Sequence, residues 1–330
     1  MFAVRTSVMA LLLLAACDGN PFTGDPGTGG GDSGGDGSTD LVPAEVSRDM
    51  NAMSYSTGVL KIDMQGVTSS AKLATFTRAP GLDVASGTNN PGYEAYYYHE
   101  TGLTRSYLAY VAKNERGNLI AVSSADGGQF NEHNGGGRFI QVTAYTAPTT
   151  GAGPEEGLFS YAGSYVGVFA PGDFADGSDT RPPELRPVEP YITTGTAQIN
   201  GDFAHGAVEG GIVDRQLFTQ DGTQVTSLTI DDGDPTTTDT TIDTTTLQSL
   251  VLRETTIDDQ GFFLGNVEFF GAPGTGVGDY AGAFGGNGAT DVAGVLWLNP
   301  ISGENGIWEY GAFNLPRCDM AGSSPLCTPR

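Results

Sequence analysis

Residues 157–169 read GLFSYAGSYVGVF, and every second position from Phe159 is an aromatic or a glycine: Phe159, Tyr161, Gly163, Tyr165, Gly167 and Phe169. Alternation of this kind puts one set of side chains on one face of an extended chain, the period-two signature of a strand. The pattern returns at 194–203, where Gly195, Ala197, Ile199, Gly201 and Phe203 share one face and Thr194, Thr196, Gln198, Asn200 and Asp202 the other. It returns again as Tyr280, Gly282 and Phe284. Rings set beside glycines on one face suit a small barrel, whose tight interior alternates large and small residues. Working outward, the pattern predicts strands at 157–169, 193–203, 206–216, 247–257, 262–271, 279–285, 292–298 and 307–314. About eight strands enclose an interior that side chains or one small ligand just fill. Short turns at Ala204-His205 and Asp258 to Gly261 make neighbours antiparallel. The expectation is an eight-stranded antiparallel up-and-down barrel over 157–315, with the ring-and-glycine face inward and Ala281 and Ala283 facing solvent.

Residues 50–150 also read as β, with strands at 58–65, 93–99, 105–112, 118–124 and 138–146 and turns at Asn89-Asn90-Pro91-Gly92 and Gly135-Gly136-Gly137. The chain is therefore expected to be all-β. Tyr93, Tyr96, Tyr97, Tyr98, Tyr107 and Tyr110 read as the core of this sheet with its edge. Interruptions at 170–191 and 218–246, rich in Pro, Thr and Asp, are expected to be mobile loops. Within the second, Asp232 and Asp234 share the first spacing of a calcium loop. Thr236 then stands where a third ligand belongs and no Glu closes the loop, so no metal is assigned.

The chain has 330 residues, 50 of them Gly, with 15 Lys+Arg against 39 Asp+Glu, a formal net charge of -24. A phosphate backbone needs a basic face, so nucleic acid is excluded as a partner. A helical bundle would be rich in strong helix formers, and this composition is not.

At the N-terminus, Arg5 precedes the apolar run Val8 to Leu14 and the small-residue site Leu14-Ala15-Ala16-Cys17. This segment resembles a bacterial lipoprotein signal peptide. The resemblance implies that residues 1–16 are removed and that Cys17 carries the lipid, palmitate included. The apolar run is too short to span a bilayer, which takes ~20 residues, so the membrane contact is the lipid anchor. Residues 17–49, rich in Gly and Asp, are expected to form a disordered tether. The localisation that follows is the cell envelope, with outer membrane or cell surface favoured. Asp18, in the second mature position, keeps the inner membrane open. Cys318 and Cys327 are then an even pair in an oxidising compartment and are expected to form a disulfide in a C-terminal tail, 316–330.

Three stretches of the barrel segment resemble transferrin-binding protein B and related bacterial surface lipoproteins. Gly282-Ala-Phe-Gly-Gly-Asn-Gly-Ala-Thr-Asp-Val-Ala-Gly294 is similar to a family hairpin of the form G-x-F-Y-G-P-x-A-x-E-x-G-G, with Asp291 in the place of the Glu. Asn200-Gly-Asp-Phe203, Gly206-Ala-Val-Glu-Gly-Gly-Ile212 and Arg215 resemble paired family strands, and Tyr161-Ala-Gly-Ser-Tyr-Val-Gly167 the strand that opens the barrel. The family order of lipidated anchor, β-rich handle and barrel would map here onto 17–49, 50–150 and 157–315. Family receptors carry two such lobes, and this chain has room for one, so transferrin itself is not implied.

The sequence contains no G-x-S-x-G, P-loop, H-E-x-x-H or C-x-x-C. Its three histidines, His99, His133 and His205, are scattered, and read as surface residues more readily than as haem or metal ligands. No cofactor and no catalytic residue are expected. The resemblance implies a lipid-anchored envelope protein that captures a protein or small solute, with a link to metal or haem acquisition, through loop tips on a rigid barrel. The alternative is a structural or adhesive surface lipoprotein. An integral outer-membrane barrel fits poorly, because the chain ends in Cys327-Thr-Pro-Arg330 and not on an aromatic strand.

Overall fold

The computed structural model describes residues 42–67, 73–84, 92–100, 105–128, 133–150, 156–171, 189–230, 240–301, 307–320 and 323–327. Cys17, residues 1–41 and the 231–239 calcium-like run lie outside them. A four-residue helix, α1 (Ala44–Ser47), leads into β1 (Met50–Ser56), β2 (Val59–Met64), β3 (Ala74–Arg78), β4 (Glu94–His99), β5 (Ser106–Lys113), β6 (Leu119–Asp126) and β7 (Gly135–Gln141). These seven strands form one antiparallel sheet in sequence order. Its two edges approach where Asp49 N donates to Gly135 O and Arg138 Nε to Met50 O, so the sheet curls almost shut. Inside the curl lie Met53, Leu60, Ile62, Phe76, Tyr96, Tyr107 and Val122, all buried.

The second unit is β8 (Leu158–Ala170), β9 (Tyr191–Asp202), β10 (Ala207–Phe218), β13 (Leu250–Thr256), β14 (Phe262–Phe269), β15 (Gly276–Gly285), β16 (Asp291–Leu298) and β17 (Trp308–Pro316), with the hairpin β11 (Ser227–Ile230) and β12 (Thr240–Asp243) set between β10 and β13. The eight strands close, β17 pairing with β8, into the antiparallel barrel that the alternation predicts. Ring-and-glycine packing works across strands as well as along them. In register, Gly265 opposes Tyr280, Gly282 opposes Phe263 and Gly294 opposes Phe313. A Cβ on any of these glycines would lie 2.5 Å from the facing ring. The glycines are therefore the space that the rings occupy.

Several expectations give way. The outward positions Ala281 and Ala283 are wholly buried, because the outer face of the seven-stranded sheet packs on the barrel wall there. Leu108, Tyr110, Ala112, Leu119, Ala121 and Phe139 meet Val166, Val168, Ala281, Ala283, Ala293, Val295 and Ala312 in one continuous apolar cluster. Gly135-Gly136-Gly137 belongs to β7 and not to a turn. It marks close approaches on two sides: a Cβ on Gly136 would fall 2.0 Å from Ser47 O of α1, and one on Gly137 would fall 2.6 Å from Val295 of the barrel. The expected tether yields before residue 49, since Val46 of α1 is fully buried in the same cluster. Strands β1 and β3 went unread, and the 218–246 interruption holds β11–β12. That hairpin caps one barrel end with Leu228 beside Phe169, Leu217, Leu247, Ile301 and Ile307.

Candidate functional site

The connections on the capped end of the barrel are the longer ones, and there the start of β9 and the end of β10 lie beside the segment that follows β3. Ile192, Thr194 and Phe218 from the barrel, the turn Thr219 to Gly222, and Gly81 to Val84 from the sheet enclose a cleft of about 300 Å³. Clefts at the seam of two packed units are common ligand sites. Its floor is apolar: Ile192 is buried, and Leu82, Val84 and Phe218 pack half-buried against the shared core. Its rim is held in place by hydrogen bonds. Arg78 donates twice to Asp83, at 2.6 Å each, and the Ala95 amide adds a third bond at 2.9 Å. Tyr110 Oη donates to Leu82 O at 3.0 Å, and Gln220 Nε2 to Pro190 O at 3.1 Å. The Thr219 hydroxyl and the Thr223 amide bind Asp221 and hold its carboxyl below its usual range. Both rim carboxylates are engaged in shaping the cleft. The arrangement can seat an apolar side chain or a small apolar group.

The barrel interior is filled. Tyr161, Tyr165, Phe263, Phe284 and Phe313 occupy it with Ala197, Ile199 and Leu252. Towards the capped end sits a wholly buried ion pair, Arg215 with Glu309. Tyr165 Oη donates to Glu309 Oε1 at 2.5 Å, and Arg215 Nη1 to Gln248 O at 2.6 Å, so the pair is hydrogen-bonded on both sides. Burial and the neighbouring Glu309 carboxylate keep the Tyr165 hydroxyl protonated far above its ordinary range. Alternation along β10 would point Asp214 and Gln216 inward. A bulge between Val213 and Gln216, with Asp214 at φ 53°, reverses the parity and turns Arg215 and Leu217 inward. The uneven spacing of Ile212 and Leu217 is the one trace of this in the sequence.

Asp291, the residue standing for the family Glu in the hairpin resemblance, is fully buried at the sheet–barrel contact. Asn114 Nδ2 (2.6 Å), Arg116 Nη1 (2.9 Å), Asn118 Nδ2 (2.6 Å) and Thr290 Oγ1 (2.8 Å) all donate to it. Three of the four donors come from the β5–β6 turn, so this carboxylate fastens the sheet to the barrel. The histidines are not brought together: His99 bonds Ser106, His205 bonds Asp202, and His133 lies against Gly128. Among the described residues no three His, Cys, Asp or Glu side chains are grouped to hold a metal.

No family model and no curated protein matches the chain. Among solved structures it is similar to transferrin-binding protein B. A Haemophilus parasuis double mutant of that protein is 10% identical over 78% of this chain and 50% of its own, at a TM-score of 0.34. The intact two-lobed Ap-TbpB is 9% identical over 78% and 51%, again at 0.34. The Neisseria meningitidis isotype 1 protein is 13% identical over 81% and 51%, at 0.29. The chain spans about half the length of these structures.

Proposed function

We propose that the chain is a lipid-anchored cell-envelope binding protein that captures a protein or small solute at the capped end of its barrel, in the service of metal or haem acquisition. The observation that supports this most directly is the seam cleft: an apolar floor of Ile192, Leu82, Val84 and Phe218 under a hydrogen-bonded rim. The polar outer wall of β9 and β10, with Gln198, Glu209 and Asp214 exposed, suits water and not a lipid bilayer. In this reading residues 1–16 are the leader, Cys17 is the lipidated residue, the Gly/Asp-rich segment after it is the tether, and the seven-stranded sheet is the handle. Binding, not catalysis, is the activity.

The test immobilises the full chain beside a Phe218→Ser, Leu82→Ser variant and presents host or environmental proteins and haem. A ligand kept by the first and lost by the second supports capture at the cleft. Equal retention places capture elsewhere. The anchor is checked by fractionation: wild type should need detergent for release, and Cys17→Ala should not. A Cys17→Ala chain that stays with membranes after a high-salt wash refutes the anchor.

A further inference from the structure

On the barrel wall that the sheet leaves bare, the C-terminal tail turns back across β8. Cys318 N donates to Ser160 O at 2.8 Å, and a Cys318–Cys327 disulfide, Cα–Cα 5.2 Å, ties the tail into a loop. Between loop and wall runs a groove of about 730 Å³ floored by Ser160, Ala162, Gln198 and Asn200. Leu158 and Leu326 flank it, 36% and 53% exposed, two of the few large apolar side chains left in water. At Leu158, Phe159 and Asn200 the groove runs into a second depression of about 240 Å³ that adds Asp202, Glu209 and Glu254. No residue of either lining belongs to the seam cleft.

The charge along this channel has one sign. Asp202, Glu209, Glu254 and Asp319 line it. The nearby basic groups are engaged: Arg317 bonds Asp319 at 2.6 Å and lies over the Phe159 ring, and His205 bonds Asp202 at 2.8 Å. Glu209 sits at a bulge between Val208 and Gly210, whose partners on β13 are Thr255 and Leu252, so it faces the stretch that carries Arg253 and Glu254; of these, Arg253 is drawn to Glu268 at 2.8 Å. Like charges facing across neighbouring strands repel, and a cation between them relieves that repulsion. Alternating apolar and anionic stations beside the Gln198 and Asn200 amides match an extended segment bearing the opposite charge.

We propose that the groove binds an extended cationic segment of a partner protein, with Lys or Arg over Glu209 and Glu254 and an apolar side chain between Leu158 and Leu326. This site is separate from the seam cleft and stands or falls apart from it. The net charge of -24 steers such a partner towards the chain.

The experiment titrates the chain from Asp18 onward, which keeps every described residue and needs no detergent, into a fluorescein-labelled peptide of alternating lysine and leucine. Anisotropy should show saturable binding at physiological salt. Glu209→Gln with Glu254→Gln should weaken it tenfold or more, as should Leu158→Ser with Leu326→Ser, while Val142→Ser, an exposed apolar side chain outside both the groove and the seam cleft, leaves it unchanged. All are surface positions, and circular dichroism confirms that each variant is folded. Equal binding of a lysine–serine peptide, or equal weakening by Glu45→Gln with Asp63→Asn, shows diffuse charge attraction and overturns the proposal. So does no binding, or binding of neutral oligosaccharides at these residues in place of the peptide.

Discussion

One barrel carries two outer walls. On β15 and β16 the outward residues are Ala281, Ala283, Ala293 and Val295, small and apolar, and the seven-stranded sheet buries them completely. On β9 the outward residues are Thr194, Thr196, Gln198 and Asn200, polar and half-buried or exposed. The strands are alike in antiparallel pairing and inward packing. What differs is the chemistry of the second face, which determines where a second layer of structure can dock. The closed barrel removes edges, but it cannot dispose of an apolar outer face, and the curled sheet does that.

The comparison breaks most visibly under charge. Ala283→Glu should bury an unpaired carboxylate between sheet and barrel and cost ~3–5 kcal/mol, as much as Phe284→Asp inside the barrel. Thermal melts that place Ala283→Glu with surface substitutions would show that the wall is not covered. Next in size, Asp291→Ala should cost about 3 kcal/mol, because Asn114, Asn118 and Arg116 lose their acceptor in a buried setting. A double-mutant cycle with Asn118→Ala should show strong coupling, and additive losses would mean the network does not act as a unit.

A smaller effect sharpens the difference between the sheet and the barrel. Asp126, fully buried in β6, is pushed up to about 6 by burial, against the opposing pull of the Asn134 amide and of Arg105, 3.1 Å away. A carboxyl raised in the folded state binds its proton more tightly than in the unfolded chain. Stability from this group therefore rises as pH falls from about 7 towards 4, and the penalty is complete above 7. Asp126→Asn should flatten that dependence by about 1–3 kcal/mol, read as the difference between the two chains in urea melts at pH 7 and pH 5. An unchanged difference would put the carboxyl at its ordinary value. Smallest of all, Thr196→Glu on the bare wall should shift stability by less than about 0.5 kcal/mol. A larger loss would mean that something covers that wall too.

Much of the barrel was legible because alternation is a local signal. Each of its eight strands lies within a few residues of the stretch read from ring, glycine and Thr/Asn spacing, and Tyr161, Tyr280 and Phe284 point inward as the pattern requires. Strand β1 was missed because the period of MNAMSYS is broken, with a bulge between Met50 and Ala52, and β3 because the alternation of ATFTR lasts only five residues. The seam cleft was not legible at all. Leu82 and Phe218 are 136 positions apart, and nothing near either one reports the other.

The sequence by itself determined the secondary structure class, the barrel with its strand count and its inward face, because those follow from side-chain period and turn chemistry within a dozen residues. Only the tertiary structure decided what the other faces do. It turned the glycine run 135–137 from a turn into a point of contact, reversed the parity of β10 at Asp214 so that Arg215 met Glu309, and made Ala281 and Ala283 core. In each case the deciding neighbour is remote in the chain, and a residue's own period cannot say what will be packed against it.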